Sequence, residues 1–404
     1  MAENQSEIDA AGKASQPETL KLGGASSGPP THSNWLALNV GMPCLETAEF
    51  PLFTDARISA EISQGPYQFL NTVPNWEAGM VQPAIILRCD FHAEFSQPDM
   101  TKTDLFRYHG GSFPEEIAAL SSLAMGARLR AGGVTRRFEP KGDPKGRPSE
   151  WARRTHAGLI LRKDSRGWVL PNASEGDHSL TALDILAHLP KLSASAAIAL
   201  VKAARLYQEA LWLVETETPL SWLLMVSAVE TAANQWRCQK EAPAERLKDS
   251  KPVLYRYLEV IGTDVLAAVA KEIAEVLGAT SKFIGFVLEF LPPPPSARPP
   301  VGFRCSWSET AIRKAMRLIY DHRSRALHDG RPFPLPMCEI PFTLPGWPAP
   351  AERPVGLAAA AQGGVWLSKD TPMHFHTFEH IARGVLLNWW RKGAPADEED
   401  GGGR

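Results

Sequence analysis

The stretch AIRKAMRLIYDHRSRALHDG, residues 311–330, decides how the C-terminal half of the chain is read. Ile312, Met316, Ile319 and Tyr320 recur at three-to-four-residue spacing, so they share one face of a predicted helix. Lys314 and Arg317 fill other faces, and Gly330 supplies the stop. Arg323 arrives where that stripe would ask for an apolar residue, and His328 follows five positions on. A guanidinium is permanently charged and grips phosphate oxygens in a planar fork. An imidazole titrates near neutrality and can take or give a proton. The pair suits phosphodiester chemistry without a metal.

Outward from this helix the pattern is helical from about residue 180 onward. Leu180 to Pro190 reads as a short helix ended by proline, and Ser193 to Thr216 as a longer one with Ser193 or Ser195 as N-cap. Leu220 to Lys240 is almost continuously apolar at first, as a central bundle helix should be. Glu230 sits inside that run, where a carboxylate is costly unless paired. Val260 to Phe290 gives one or two helices broken at Gly278, and Pro292 to Pro295 is an extended linker. A proline-dense excursion, residues 332–354, leads to a last helix over Phe375 to Arg391.

The segment Tyr320-Asp321-His322-Arg323-Ser324-Arg325-Ala326-Leu327-His328-Asp329-Gly330 resembles the Y-x-x-R-S/N-x-x-x-H-x-G signature of HEPN domains, specifically the Apea-like branch. The resemblance covers roughly residues 193–391. It implies a small helical bundle, commonly dimeric. The active members are metal-independent ribonucleases of toxin, antiviral and abortive-infection systems. Carried onto this chain, it implies Arg323 and His328 as catalytic residues, with Tyr320 and Ser324 beside them. Ser324 stands where many active members have Asn, Asp or His, and Ser is also found there. Apea-like domains carry a Glu on the helix before the catalytic one, which gives Glu230 a second reading. Either it pairs with a buried basic group and holds two helices in register, or it orients Arg323 or His328. The region from Glu116 to Leu123, with Gly132-Gly133 and Gly146-Arg147-Pro148, is also similar to the N-terminal part of uncharacterised bacterial proteins with C-terminal HEPN domains.

Before residue 180 the character differs. Residues 1–33 are rich in Ser, Gly, Glu, Lys and Pro, and are expected as a disordered tail. Residues 34–179 read as an α+β domain of unknown role, ahead of an all-α, HEPN-like bundle over 180–392 and a second tail over 393–404. Expected strands are Arg57 to Ile62, Ala84 to Phe91, and a hairpin of Gly158 to Arg162 with Gly167 to Leu170. One helix, Pro114 to Arg130, interrupts them. Between Thr135 and Arg154 lies a basic, turn-rich segment carrying Arg136, Arg137, Lys141, Lys145 and Arg147, with Phe138 and Trp151 interleaved. Such a segment either tracks an RNA backbone and stacks on unpaired bases, or is a solvated loop. Arg325 is a further candidate for RNA contact.

Composition narrows the function classes. The 404 residues are 44% hydrophobic and 22% charged, those of a globular protein, with formal net charge −2. Any polyanion partner must therefore meet a local patch. No apolar run reaches the ~20 residues of a membrane span, and no signal-peptide pattern opens the chain. The five cysteines are scattered without a C-x-x-C pair, which points to a reducing cytoplasm and to neither zinc nor disulfides. His376, Glu379 and His380 read H-x-x-E-H, but a third ligand from a separate helix downstream is missing. No P-loop or Rossmann fingerprint appears, so no metal and no cofactor are expected.

The expectation is an endoribonuclease. His328 moves a proton at the ribose 2′-hydroxyl or the leaving 5′-oxygen, and Arg323 grips the scissile phosphate. One imidazole must serve two proton transfers, so a homodimer is expected to supply the second. Two rivals stay open: an inert HEPN-like module that binds RNA or protein, and a sensor or adaptor whose N-terminal domain recognises the trigger.

Overall fold

The computed structural model describes residues 28–72, 80–94, 101, 103, 110–139, 144–148, 167–173, 176–236 and 243–393. A sheet-containing N-terminal region is followed by a helical one. The first helix, α1 (Pro30–Asn39), begins inside the stretch expected as tail. Its sequence has little amphipathic pattern, and tertiary bonds hold it instead. Tyr67 donates its hydroxyl to the Thr31 carbonyl at 2.6 Å. The Asn34 amide donates to the Asp90 carbonyl and accepts from the His92 N–H. Trp35 is buried edge-on against Tyr67.

Strands β1 (Glu46–Thr54), β2 (Arg57–Ser59), β3 (Ile62–Gln64), β4 (Tyr67–Asn71) and β5 (Gln82–Phe91) follow. Then come α2 (Phe113–Met125), β6 (Arg130–Ala131), β7 (Arg136–Phe138), β8 (Arg147–Pro148) and β9 (Asp177–Ser179). The main sheet is antiparallel in the order β3-β4-β5-β1-β7-β8, with β6 also on β1. The expected strand over Arg57 to Ile62 is two strands. Ala60 takes φ 64°, a left-handed kink that alternation cannot reveal. It sends β2 to pair in parallel with β9 and β3 to pair with β4. The expected helix to Arg130 stops at Gly126, whose φ of 72° makes the left-handed cap. The expected strand at Gly167 to Leu170 is mostly bends, because Val169 and Leu170 donate their N–H groups to the Glu215 carboxylate. Its expected partner, 158–162, lies outside the described residues, as do Lys141, Trp151, residues 1–27 and residues 394–404.

A 3-10 helix (Leu180–Lys191) opens the helical region. It is followed by α3 (Ala194–Leu213), α4 (Thr218–Gln235), α5 (Pro243–Ser250), α6 (Pro252–Ile261), α7 (Thr263–Glu289) and α8 (Glu309–His328). After these come α9 (Leu335–Cys338), the hairpin β10 (Ala358–Ala361) and β11 (Gly364–Leu367), and α10 (Phe375–Lys392). Ser193 and Ser308 accept N–H bonds as N-caps of α3 and α8. No break occurs at Gly278, and α7 runs through it. Glycine inside a helix costs about 1 kcal/mol, and α7 offsets that by burying Phe283 and Phe286. The Pro292–Pro295 run is extended and pinned: the Trp307 indole donates to the Pro292 carbonyl, and His380 Nε2 bonds the Pro293 carbonyl.

One contiguous buried cluster reaches from Trp35 through Ile117, Leu120 and Val201 to Trp390, so it crosses the boundary expected at residue 179. The sheet region and the helices share this core through α2, which packs on α3. Arg383 of α10 donates to the Leu123 carbonyl near the end of α2. No helix among the described residues is long and apolar enough to cross a membrane.

Candidate functional site: the end of α8 against α4

Ile312, Met316 and Ile319 are buried, as the spacing on α8 predicts, and Tyr320 packs its ring 5.3 Å from that of Phe283. At the next turn the polar groups begin. Glu230, projecting from α4, accepts from the Tyr320 hydroxyl at 2.8 Å on one oxygen and from Arg323 Nη2 at 2.6 Å on the other. The Arg323 guanidinium also lies 5.5 Å from the Tyr320 ring centroid. The Arg323 and Glu230 side chains are 20% and 16% exposed, so the pair is largely but not fully removed from water. Arg323 Nε is buried without a hydrogen bond among the described residues. Burial, then the bond to Glu230, push the Tyr320 phenol up to about 12. Glu230 thus pairs with a basic group across two helices and, by the same bonds, fixes the direction of Arg323.

His328 is the last residue of α8 and is exposed, and its side chain makes no hydrogen bond or ion pair among the described residues. Five helical residues turn about 140° net and climb about 7.5 Å, so Arg323 and His328 point to different faces of α8. Within one chain the two are not brought together. Ser324 is half-buried and Arg325 exposed. The histidine inside the helix packing is His322, whose Nε2 bonds the Asp370 carbonyl at 2.8 Å. Burial lowers its pKa. Its signal was available: His322 stands three residues after Ile319, on the same stripe that Arg323 continues one position later.

The basic segment expected as a turn-rich loop is in part a β-ribbon, because Arg136 to Phe138 pairs with β1 and with Arg147-Pro148. Arg136 Nε donates to the Lys145 carbonyl, Arg137 pairs with Glu46, and Arg147 lies 3.6 Å from Glu139. Phe138 is covered by the Arg88 guanidinium at 5.0 Å, and Gly146 lies so close that an added Cβ would fall 2.7 Å from the ring. That ring is therefore not an open platform for a base.

The histidines of the last helix face separate partners. His376 Nε2 bonds the Ala351 carbonyl, His380 the Pro293 carbonyl, and Glu379 accepts from the Tyr207 hydroxyl. His374 is buried with Nδ1 unpaired among the described residues, and burial lowers its pKa to about 3. No group of three metal-capable side chains converges among the described residues. No family model matches the chain, and no curated protein or solved structure matches it either.

Proposed function

We propose that the chain is a metal-independent endoribonuclease of the HEPN type that acts as a homodimer in the cytoplasm, in a toxin or antiviral, abortive-infection role. The observation that supports this is the Arg323 guanidinium, held in direction by Glu230 and Tyr320 yet one-fifth exposed. A fork aimed in this way can take a phosphate oxygen on its open edge and offset charge on the transition state. His328, exposed one and a half turns on, moves the proton. In the reaction the ribose 2′-oxygen bonds to phosphorus and the bond from phosphorus to the 5′-oxygen breaks. The 2′-hydroxyl proton leaves to a base, and the 5′-oxygen gains one from an acid. The products are a 2′,3′-cyclic phosphate and a 5′-hydroxyl. Because Arg323 and His328 diverge on one helix, the phosphate held by one copy would meet His328 of the second.

The test is incubation of purified protein with mixed RNA in EDTA, beside Arg323→Ala and His328→Ala. Each variant should stay folded and lose cleavage, and mixing the two should restore part of it. Wild-type cleavage by either folded variant sinks the mechanism. The second reading, an inert RNA- or protein-binding module, is favoured by a different aspect of the same pair: Glu230 already occupies Arg323. On that reading the wild type binds RNA without cutting it, and Arg323→Ala lowers stability while leaving binding unchanged.

A further inference from the structure

A second feature of α8 lies nearer its N-terminus. A cavity of about 230 Å³ opens between α8, the segment 304–306 and the turn 368–373. Four cations line it: Arg304, Lys314, Arg353 and Lys369. No carboxylate does. Two nearby acids, Glu352 and Glu309, are engaged elsewhere. Glu352 takes both prongs of Arg298, at 2.6 and 2.7 Å, and the Cys305 N–H at 2.6 Å. Glu309 pairs with Arg313 at 2.8 Å. None of the four lining cations makes an ion pair among the described residues.

Like charges gathered around one concavity repel, and the arrangement is relieved by an anion between them. Two of the four are also set in place beforehand. Arg304 Nε donates to the Pro299 carbonyl at 2.6 Å, and Arg353 Nη2 donates to the Gly302 carbonyl at 3.0 Å. Each keeps further N–H groups of its fork for a ligand. The rest of the wall carries apolar Ile312, Leu318 and Met373 beside the hydroxyl residues Ser306, Ser368 and Thr371. A bare inorganic ion would leave that apolar wall unused, and the cavity falls below the roughly 300–1,000 Å³ of sites for drug-sized ligands. We infer that this cavity binds a small organic phosphate, its phosphate among Arg304, Lys314, Arg353 and Lys369 and its compact body on the wall of Ile312, Leu318 and Met373. Four positive charges match a phosphate monoester, near two negative charges at pH 7, better than a single carboxylate.

Calorimetric titration of the full chain with phenyl phosphate at low salt tests this, with inorganic phosphate and phenol as separate arms. Phenyl phosphate should bind, inorganic phosphate about tenfold more weakly, and phenol not measurably. Lys314→Glu with Lys369→Glu, both at exposed positions, should weaken phenyl phosphate by about tenfold or more at an unchanged circular dichroism spectrum. Should that pair fail to fold, Lys369→Gln alone should weaken binding severalfold. No heat with phenyl phosphate up to about 10 mM, well above ordinary site affinities, overturns the inference. So does undiminished binding by a folded variant, or phenol binding as tightly.

Discussion

Glu230 and Arg323 should be energetically coupled, and a double-mutant cycle measures by how much. Glu230→Ala strips Arg323 of its carboxylate and Tyr320 of its acceptor in one step. Orphaning one member of a fully buried pair costs about 3–5 kcal/mol. Here the side chains are 20% and 16% exposed, so water can partly reach the orphan, and about 3 kcal/mol is expected. Arg323→Ala leaves Glu230 with the Tyr320 hydroxyl still donating, so about 2 kcal/mol is expected. The double variant removes both charges and should cost about 3 kcal/mol, mostly from the lost packing and the unpaired phenol. The coupling energy is then about 2 kcal/mol. Urea unfolding at 25 °C reads it directly. In a chain of this length 1 kcal/mol moves a melting midpoint by only about 1–2 °C, so a thermal scan is the poorer assay. Raising salt to 0.5 M should leave more than half of the coupling, since largely buried charges are weakly screened. A coupling under about 0.5 kcal/mol, the level of unrelated sites, would refute the view that α4 and α8 are locked here.

Gly384 on α10 faces the proline run, where an alanine Cβ would fall 2.6 Å from Pro292 Cβ. Gly384→Ala should therefore destabilise by about 1–3 kcal/mol in urea instead of gaining the usual helix propensity, and a gain would show that the run is not pinned there. His374 is held neutral in the fold, its pKa lowered by burial from 6.5 to about 3. Its contribution is whole above pH 6.5 and is lost as pH falls from there toward 3, because the unfolded chain then takes up a proton that the folded one refuses. His374→Leu should flatten the fall in urea stability between pH 6.5 and 4.5 by up to about 1.4 kcal/mol per pH unit, and an unchanged slope would contradict this. For the ribbon, Arg136→Glu with Lys145→Glu should weaken single-stranded RNA binding and flatten the plot of log affinity against log salt by about 1.4, as two phosphate contacts require. An unaltered slope leaves the ribbon a structural edge.

What could be read from the sequence was whatever rests on local periodicity and capping. The apolar face of α8 and its stop at Gly330, which takes φ 65°, depend on neighbours within a few residues. The long helices α3, α4 and α10 were legible for the same reason. What was not legible depends on contacts far apart in the chain. Helix α1 forms where composition reads as a tail, because Tyr67 and Asp90 take up its polar groups. The ribbon at Arg136 is ordered by β1, some 90 residues earlier, and β1 itself lacks a clean alternation to announce it. At the candidate site, Glu230 was readable as a paired carboxylate because a charge inside an apolar run demands a partner. Its two partners, 90 and 93 residues away, were fixed only by the fold.

The divergence of Arg323 and His328 constrains the proposed reaction more than either residue does alone. On a helix whose side chains reach about 5–6 Å from the axis, a turn of about 140° and a rise of about 7.5 Å separate the two functional groups by roughly 12 Å or more. The 2′-oxygen, the phosphorus and the 5′-oxygen of one linkage sit within about 3–3.5 Å of one another in a reactive geometry. One helix therefore cannot hold the phosphate with Arg323 and reach its oxygens with His328 while the last turn stays wound. Unwinding that turn would break the Asp329 and Arg331 N–H bonds to the Arg325 carbonyl. A second copy needs no such change. It would approach a surface where Arg325, His328 and the half-exposed Leu327 already stand open, apolar contact beside positive charge. The proposed chemistry and the proposed dimer thus stand or fall together, whereas the lock between α4 and α8 stands on the contacts of Glu230 alone.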